Sequence, residues 1–241
     1  MQTRLTICQE VESTQDVAKK MALCGEAEGF AVMAFKQTGG RGRSGRTWIS
    51  PAGKNLALSL LLRPRLASNV MPLLSLMTAI AVANTVERLG ISRPELKWPN
   101  DVLVSGKKLA GILAEAGIMN DSFKYVILGI GLNVNSEIND FPPELHDSVT
   151  SLFMSTSRQW DLGNVAEELL KDMEDFYKRL RTEGPGFVPA LWSDRWAHPG
   201  RSFTYNGAVG VGQGISSDGS LILKTDNEQV IHVASGIVDP I

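Results

Sequence analysis

The chain is poor in the residues that build metal centres and disulfide frameworks. Its 241 residues include two cysteines, Cys8 and Cys24, and three histidines, His146, His198 and His232, none at ligand spacing. That spacing excludes a zinc ribbon or a disulfide scaffold as the organising principle and points to a reducing compartment, the cytoplasm. The opening residues show no secretory pattern. No apolar run reaches the ~20 residues a membrane span needs; the longest, residues 70–83, carries Ser75 and Thr78 and reads as a buried helix. A net charge of −2 gives no broad attraction to nucleic acid or acidic lipid.

The most telling deficit is of acid. Residues 29–86 contain no Asp or Glu but seven Lys and Arg. Arg41, Arg43 and Arg46 alternate there with Gly40, Gly42 and Gly45, and Lys36 and Lys54 flank the run. These cations are expected to lack local partners. Planar guanidinium forks in that state suit phosphate or carboxylate, and the glycines let the backbone close round a ligand. Arg-Gly runs also occur in disordered RNA-binding tails. This one is short, lies between apolar segments 30–35 and 56–62, and has Trp48 close behind it. A ligand-binding loop on a rigid scaffold is the stronger reading.

A coarse pass along the chain predicts a strand over 5–8, then a helix capped by Ser13 with Asp16 in its first turn. Strands follow over 30–36 and 56–63. Pro72 opens a helix that Gly90 ends. Strands 101–104 and 107–113 are joined by a Ser105-Gly106 hairpin turn, and 124–135 forms a further long strand. An acidic helix over 165–181 and a short helix over 187–196 follow. From His198-Pro199-Gly200 the texture is glycine-rich, with strands over 203–205, 221–224 and 230–233 and turns at Asn206-Gly207 and Asp218-Gly219. A module of about 45 residues has little core of its own and is expected to dock on the main domain.

The hairpin permits a geometric inference. With Ser105-Gly106 as the turn, Leu103 faces Lys108 and Asp101 faces Ala110, so Asp101 and Lys108 share a face as diagonal neighbours while Lys107 points away. A solvated Lys-Lys pair at a hairpin tip is the plainer alternative. Along the long strand, Ile130, Leu132 and Val134 share one face and Gly129, Gly131, Asn133 and Asn135 the other. Two glycines and two amides could floor a nucleotide site, with Asn133 offering its carbonyl oxygen to Mg2+; a sheet face packed tightly under a helix has the same signature. Trp98 and Pro99 form a stiff apolar wall with Asn100 and Asp101 at its end.

Four segments in order, Gly-Arg-Gly-Arg-Ser-Gly-Arg-Thr-Trp at 40–48, Lys-Trp-Pro-Asn-Asp at 97–101, Lys-Lys-Leu-Ala-Gly-Ile-Leu at 107–113 and Gly-Ile-Gly-Leu-Asn-Val-Asn at 129–135, are similar to the successive signatures of the biotin–protein ligases. The resemblance covers essentially the whole chain. It implies an α+β catalytic domain over residues 1–197, with a mixed sheet of the biotin/lipoate ligase and class II synthetase-like type and helices largely on one face. An SH3-like β-barrel over 198–241 would follow. It also implies a two-step reaction, in which biotin and ATP give biotinyl-5′-AMP and pyrophosphate, and a lysine of the biotin carboxyl carrier protein then takes the biotinyl group.

By the same resemblance, Arg43, Lys108 and Asp101 are catalytic, Asp101 orienting or deprotonating the acceptor lysine. Ser13, Thr14, Gln15, Gln37, the Arg41 backbone, Gly42, Arg43 and Lys108 would contact biotin. Arg43, Arg46, Trp48, Lys108 and Asn133 would contact the nucleotide, beside the Mg2+ contact that the strand reading gives Asn133. Gln15 stands where the family more often has Asn. Only a dozen residues precede Ser13, fewer than the roughly 60 that an independently folding winged-helix domain needs, so no DNA-binding domain is expected. A homodimer is expected from the family alone. The rival readings are a lipoate–protein ligase, whose apolar dithiolane would not need polar partners at Ser13 and Gln37, and a basic-loop RNA-binding module, which would present more stacking aromatics than Trp48.

Overall fold

Residues 56–62 are apolar except for Ser59 and show no alternation, the pattern of a strand covered on both faces. The computed structural model, which describes residues 1–236 and 238–240, places this segment near the middle of a seven-stranded sheet. The sheet is built from β1 (Arg4–Val11), β2 (Phe30–Gln37), β3 (Leu56–Leu62), β4 (Glu95–Lys97), β5 (Asp101–Val104), β6 (Lys107–Met119) and β7 (Ser122–Leu132), in the order β1-β2-β3-β7-β6-β5-β4. Only β1 and β2 run parallel; the other pairs are antiparallel, so the sheet is mixed as expected.

Two cores flank it. The larger packs α2 (Met71–Arg88), α4 (Leu162–Glu183) and α5 (Val188–Ser193) against one face. Residues Ser68–Arg88 are long and apolar enough to cross a membrane by length and composition, yet 67% of that stretch is buried inside the fold. It is a core helix. On the opposite face α1 (Thr14–Leu23) lays Ala18 and Ala22 on Val32, Leu61 and Ile127. The helices therefore lie largely on one face, with α1 as the exception, and α1 starts at the pocket described below.

A second, antiparallel sheet is made of β8 (Ser202–Tyr205), β9 (Ala208–Ile215), β10 (Leu221–Thr225), β11 (Val230–Val233) and β12 (Asp239–Pro240), in the order β11-β10-β9-β8-β12. This is the small β module expected at the C-terminus; its expected end, Ile241, lies outside the described residues. It docks through its own apolar side chains. Phe203, Leu221, Leu223 and Val233 join the larger core, Trp196 stacks on Phe203 with ring centroids 6.4 Å apart, and Trp98 Nε1 donates to Gly219 O at 3.1 Å.

Several boundaries differ from the sequence reading. β6 runs to Met119 rather than stopping at residue 113, because it pairs with β7 along its full length. β7 ends at Leu132, so Asn133 and Asn135 lie beyond the strand. The strand β9, the three-residue β4 and the short helix α3 (Leu152–Thr156) were not expected. β9 carries Gly210, Gly212 and Gly214, which erase the alternation that would mark it.

Candidate functional site

The Arg-rich loop is folded back on itself. Gly42 N donates to Arg46 O at 2.7 Å, Trp48 N donates to Gly40 O at 3.0 Å, and Arg41 and Thr47 form an isolated bridge. The tip needs two left-handed residues, Ser44 (φ 55°) and Gly45 (φ 74°), and only the second is free of steric cost there.

The cations of residues 29–86 have no acid near them in the chain, as expected, but acids from distant segments reach three of the seven. Arg41 makes a bidentate contact with Asp16, at 2.6 and 2.7 Å. Lys36 pairs with Glu10 at 2.9 Å, and Lys54 with Asp140 at 2.7 Å. Arg43 is the exception that matters. Its guanidinium is half-buried, and burial pulls its pKa down, partly opposed by the nearby Asp101 charge. Among the described residues its one neutral contact is to Asn100 Oδ1 at 3.4 Å. A desolvated cation with so weak a partner is where an anion gains most. Arg46 is exposed at the rim.

Beneath the loop lies a cavity of about 300 Å3. One end is neutral and polar. Ser13 caps α1, and Gln37 Oε1 accepts from both Thr14 N (2.8 Å) and Thr14 Oγ1 (3.0 Å). A backbone N–H can only donate, so the Gln37 atom facing it must be the carbonyl oxygen, and the Gln37 –NH2 is left for a ligand. Ser59 Oγ, fully buried, lies 2.9 Å from both Thr14 Oγ1 and Gln15 Oε1. Gln15 lines this end too, but its amide is engaged by Leu113 O (3.1 Å) and Ile127 O (3.4 Å). Gln15 therefore braces the wall from behind. Ser59 was missed by the sequence reading; a lone hydroxyl in the middle of a buried apolar strand is the signal that could have found it.

The other end is aromatic and charged. Trp48 lies on a shelf of glycines: a β-carbon on Gly131 would come within 2.3 Å of the indole, and one on Gly111 within 3.2 Å. Gly129, one step along, makes the same room for Gln15, where a β-carbon would lie 2.6 Å from Oε1. The glycine face of β7 is thus part of the floor, filled from above by Trp48 and Gln15. Lys108 Nζ stands 5.7 Å from the Trp48 ring centroid and 2.7 Å from Asp101 Oδ1. The hairpin reading holds at the turn, with Val104 opposite Lys107 and Leu103 opposite Lys108, but a bulge then shifts the register, and Asp101 faces Gly111 instead of Ala110. The ion pair forms all the same. Lys107 points elsewhere, its Nζ 3.4 Å from His146 O.

Asn133 is the clear correction among the expected site residues. It is buried, its Oδ1 accepts from Asn55 Nδ2 at 3.3 Å, and its Nδ2 donates to Thr150 O at 3.0 Å. It lies outside the cavity lining. The chain has left the ladder by this point, so the facing rule no longer applies to it. Its carbonyl oxygen is not offered to a metal, and no group of three His, Cys, Asp or Glu among the described residues is disposed to hold one. Asn133 is therefore not placed to hold a magnesium ion. The remaining expected residues, Ser13, Thr14, Gln15, Gln37, Arg41, Gly42, Arg43, Arg46, Trp48, Asp101 and Lys108, all line the one cavity. Such a constellation can hold a ligand with a neutral polar head and an acidic tail beside a second anion carrying a flat ring.

Comparison with known proteins identifies the family. The model of the biotin/lipoate A/B protein ligase family matches residues 7–133. The bifunctional ligase/repressor BirA of Bacillus subtilis is 38% identical over 233 residues, covering 95% of this chain and 71% of its own. A biotin–[acetyl-CoA-carboxylase] ligase of Paracoccus denitrificans is 33% identical over 241 residues, covering 92% of this chain and 95% of its own. Among solved structures, a biotin protein ligase from Aquifex aeolicus in complex with biotin and ATP superposes with a TM-score of 0.81 at 29% identity, over 98% of each chain.

Proposed function

The chain belongs to the biotin/lipoate A/B protein ligase family, and on that premise we propose that it is an ATP-dependent biotin–protein ligase. The observation that carries this reading is the polarity of the cavity: neutral donors and acceptors at one end, a desolvated Arg43 and the Lys108–Asp101 pair at the other. The Gln37 –NH2 and the Ser13 and Thr14 hydroxyls suit the ureido ring of biotin. An apolar dithiolane there would leave the Gln37 –NH2 and the Ser13 O–H without partners, each at a cost of about 1–3 kcal/mol.

In the first step an oxygen of the biotin carboxylate forms a bond to the α-phosphorus of ATP, and the bond from that phosphorus to the leaving pyrophosphate breaks. Two anions must approach, so positive charge fixed in advance offsets their repulsion and the charge gathering at phosphorus. Arg43 and Lys108 supply it, and loss of one such donor typically slows a reaction by about 10²–10³. ATP enters as its magnesium complex, the metal arriving with the substrate. Trp48 on its glycine shelf takes the adenine side, with Arg46 at the rim. In the second step the ε-amine of a lysine on the biotin carboxyl carrier protein attacks the acyl carbon, AMP leaves, and Asp101 accepts the proton. Between the steps the loop shields the mixed anhydride from water. A cytoplasmic setting belongs to the same proposal and accords with Cys8 and Cys24 as free thiols.

The test is mass spectrometry of a biotin carboxyl carrier domain incubated with the protein, biotin and Mg-ATP. One lysine should gain a biotinyl group only when all components are present. An unmodified carrier, or preferential transfer of lipoate offered in competition, would overturn the proposal.

A further inference from the structure

Arg41 differs from the other two arginines of its loop. Both terminal nitrogens of its guanidinium go to the Asp16 carboxylate, at 2.7 and 2.6 Å, so both are already engaged within the protein. Asp16 is in the first turn of α1, directly after Ser13, Thr14 and Gln15. The pair therefore joins the two walls of the cavity, the helix start that supplies its neutral end and the loop that roofs it. Glu12 and Glu115 add favourable charge round Arg41, Lys19 stands near Asp16, and the Arg41 hydrogen bonds hold the Asp16 carboxyl below its ordinary value. The two side chains remain 41% and 44% exposed. A contact so open to solvent contributes little to global stability, but it has to break whenever the loop lifts.

Resting on the ligase reading, we propose that Asp16 is a positioning residue for the reaction: through Arg41 it latches the Arg-rich loop to α1 and so sets how often the roof opens over bound adenylate. Asp16 touches no reacting atom. Its effect reaches the chemistry only through the loop. It follows that weakening the latch speeds escape of the intermediate and of biotin, while the joining of biotin to AMP on the closed protein is little changed.

The test compares wild type, Asp16→Asn and Asp16→Glu. Hydrogen exchange at the Gly42, Arg46 and Trp48 amides, all hydrogen-bonded within the closed loop, reads the latch without substrates. Asp16→Asn should speed that exchange and shorten the lifetime of protein-bound biotinyl-5′-AMP by about two- to fivefold, the size an exposed bidentate pair supports. Melting temperature should stay within a degree or so of wild type, and Asp16→Glu should recover most of the lifetime. In about 1 M salt, where the screening length is ~3 Å, wild type should approach the Asn variant. Equal exchange and equal lifetimes in wild type and Asp16→Asn at low salt would overturn the latch, as would an Asn effect that persists unchanged at high salt. A protein that forms no adenylate at all would sink the ligase reading instead, and the exchange measurement would still decide the latch.

Discussion

Ser59 sits beneath the neutral end of the cavity with its hydroxyl 2.9 Å from both Thr14 and Gln15. Replacing it by Ala leaves those two buried groups short of a partner, which typically costs about 1–3 kcal/mol. Ser59→Ala should therefore lower the free energy of unfolding by about that much and weaken biotin binding about tenfold, as read by denaturant melts and calorimetry; unchanged biotin affinity would remove Ser59 from the site. At this scale the sequence was readable where a residue belongs to a local signature. Ser13, Thr14, Gln37 and Arg43 all line the cavity. It was unreadable where the partner is remote. Nothing near Arg41 or Lys54 points to Asp16 or Asp140, which lie 25 and 86 residues away. Asn133 was misplaced because side-chain alternation holds only while the strand lasts, and β7 ends one residue earlier.

Glycine spacing on two adjacent strands decides how the site is floored. Gly111 on β6 lies directly opposite Gly131 on β7, and both give their space to Trp48. Gly131→Ala would put a methyl group 2.3 Å from the indole, and overpacking of that kind costs about 1–3 kcal/mol when the neighbour has to move. ATP affinity should drop about tenfold, while biotin affinity measured without nucleotide stays near wild type; equal losses for both ligands would show that the shelf does not belong to the nucleotide. The glycine pattern was visible in the sequence, but its occupant was not, since Trp48 arrives from a loop over 60 residues upstream. The β5–β6 hairpin was visible too, through its Ser-Gly turn. The bulge was not. It inserts Leu109 between the paired positions Lys108 and Ala110 and lets both Leu109 and Ala110 turn inward.

Across the whole molecule the larger core is continuous from the seven-stranded sheet into the C-terminal module, and the junction carries a titratable group. His198 stands edge-on to Phe203 with centroids 6.3 Å apart. Burial holds its pKa below the ordinary 6.5, with Lys97 and Arg201 acting in the same direction and Glu95 against them. The unfolded chain thus takes up the proton first, so this contribution to stability is complete above pH 6.5 and is lost as pH falls through the folded value. Melts at pH 7.5 and 5.5 should show the protein less stable at the lower pH, with part of that slope gone in His198→Gln; an undiminished slope would place the titration elsewhere. The module and its docking were expected from texture and size, whereas β9 was hidden by its own glycines. The proposed chemistry turns on Arg43 and Lys108 drawing a carboxylate and a phosphate together, and a single-turnover reaction of excess protein with biotin and α-labelled Mg-ATP tests that directly. Wild type should accumulate protein-bound labelled biotinyl-5′-AMP, whereas Arg43→Ala should form it about 10²–10³ more slowly and release it into solution. Equal formation and retention of the adenylate by Arg43→Ala and wild type, or no adenylate from wild type at all, would contradict it.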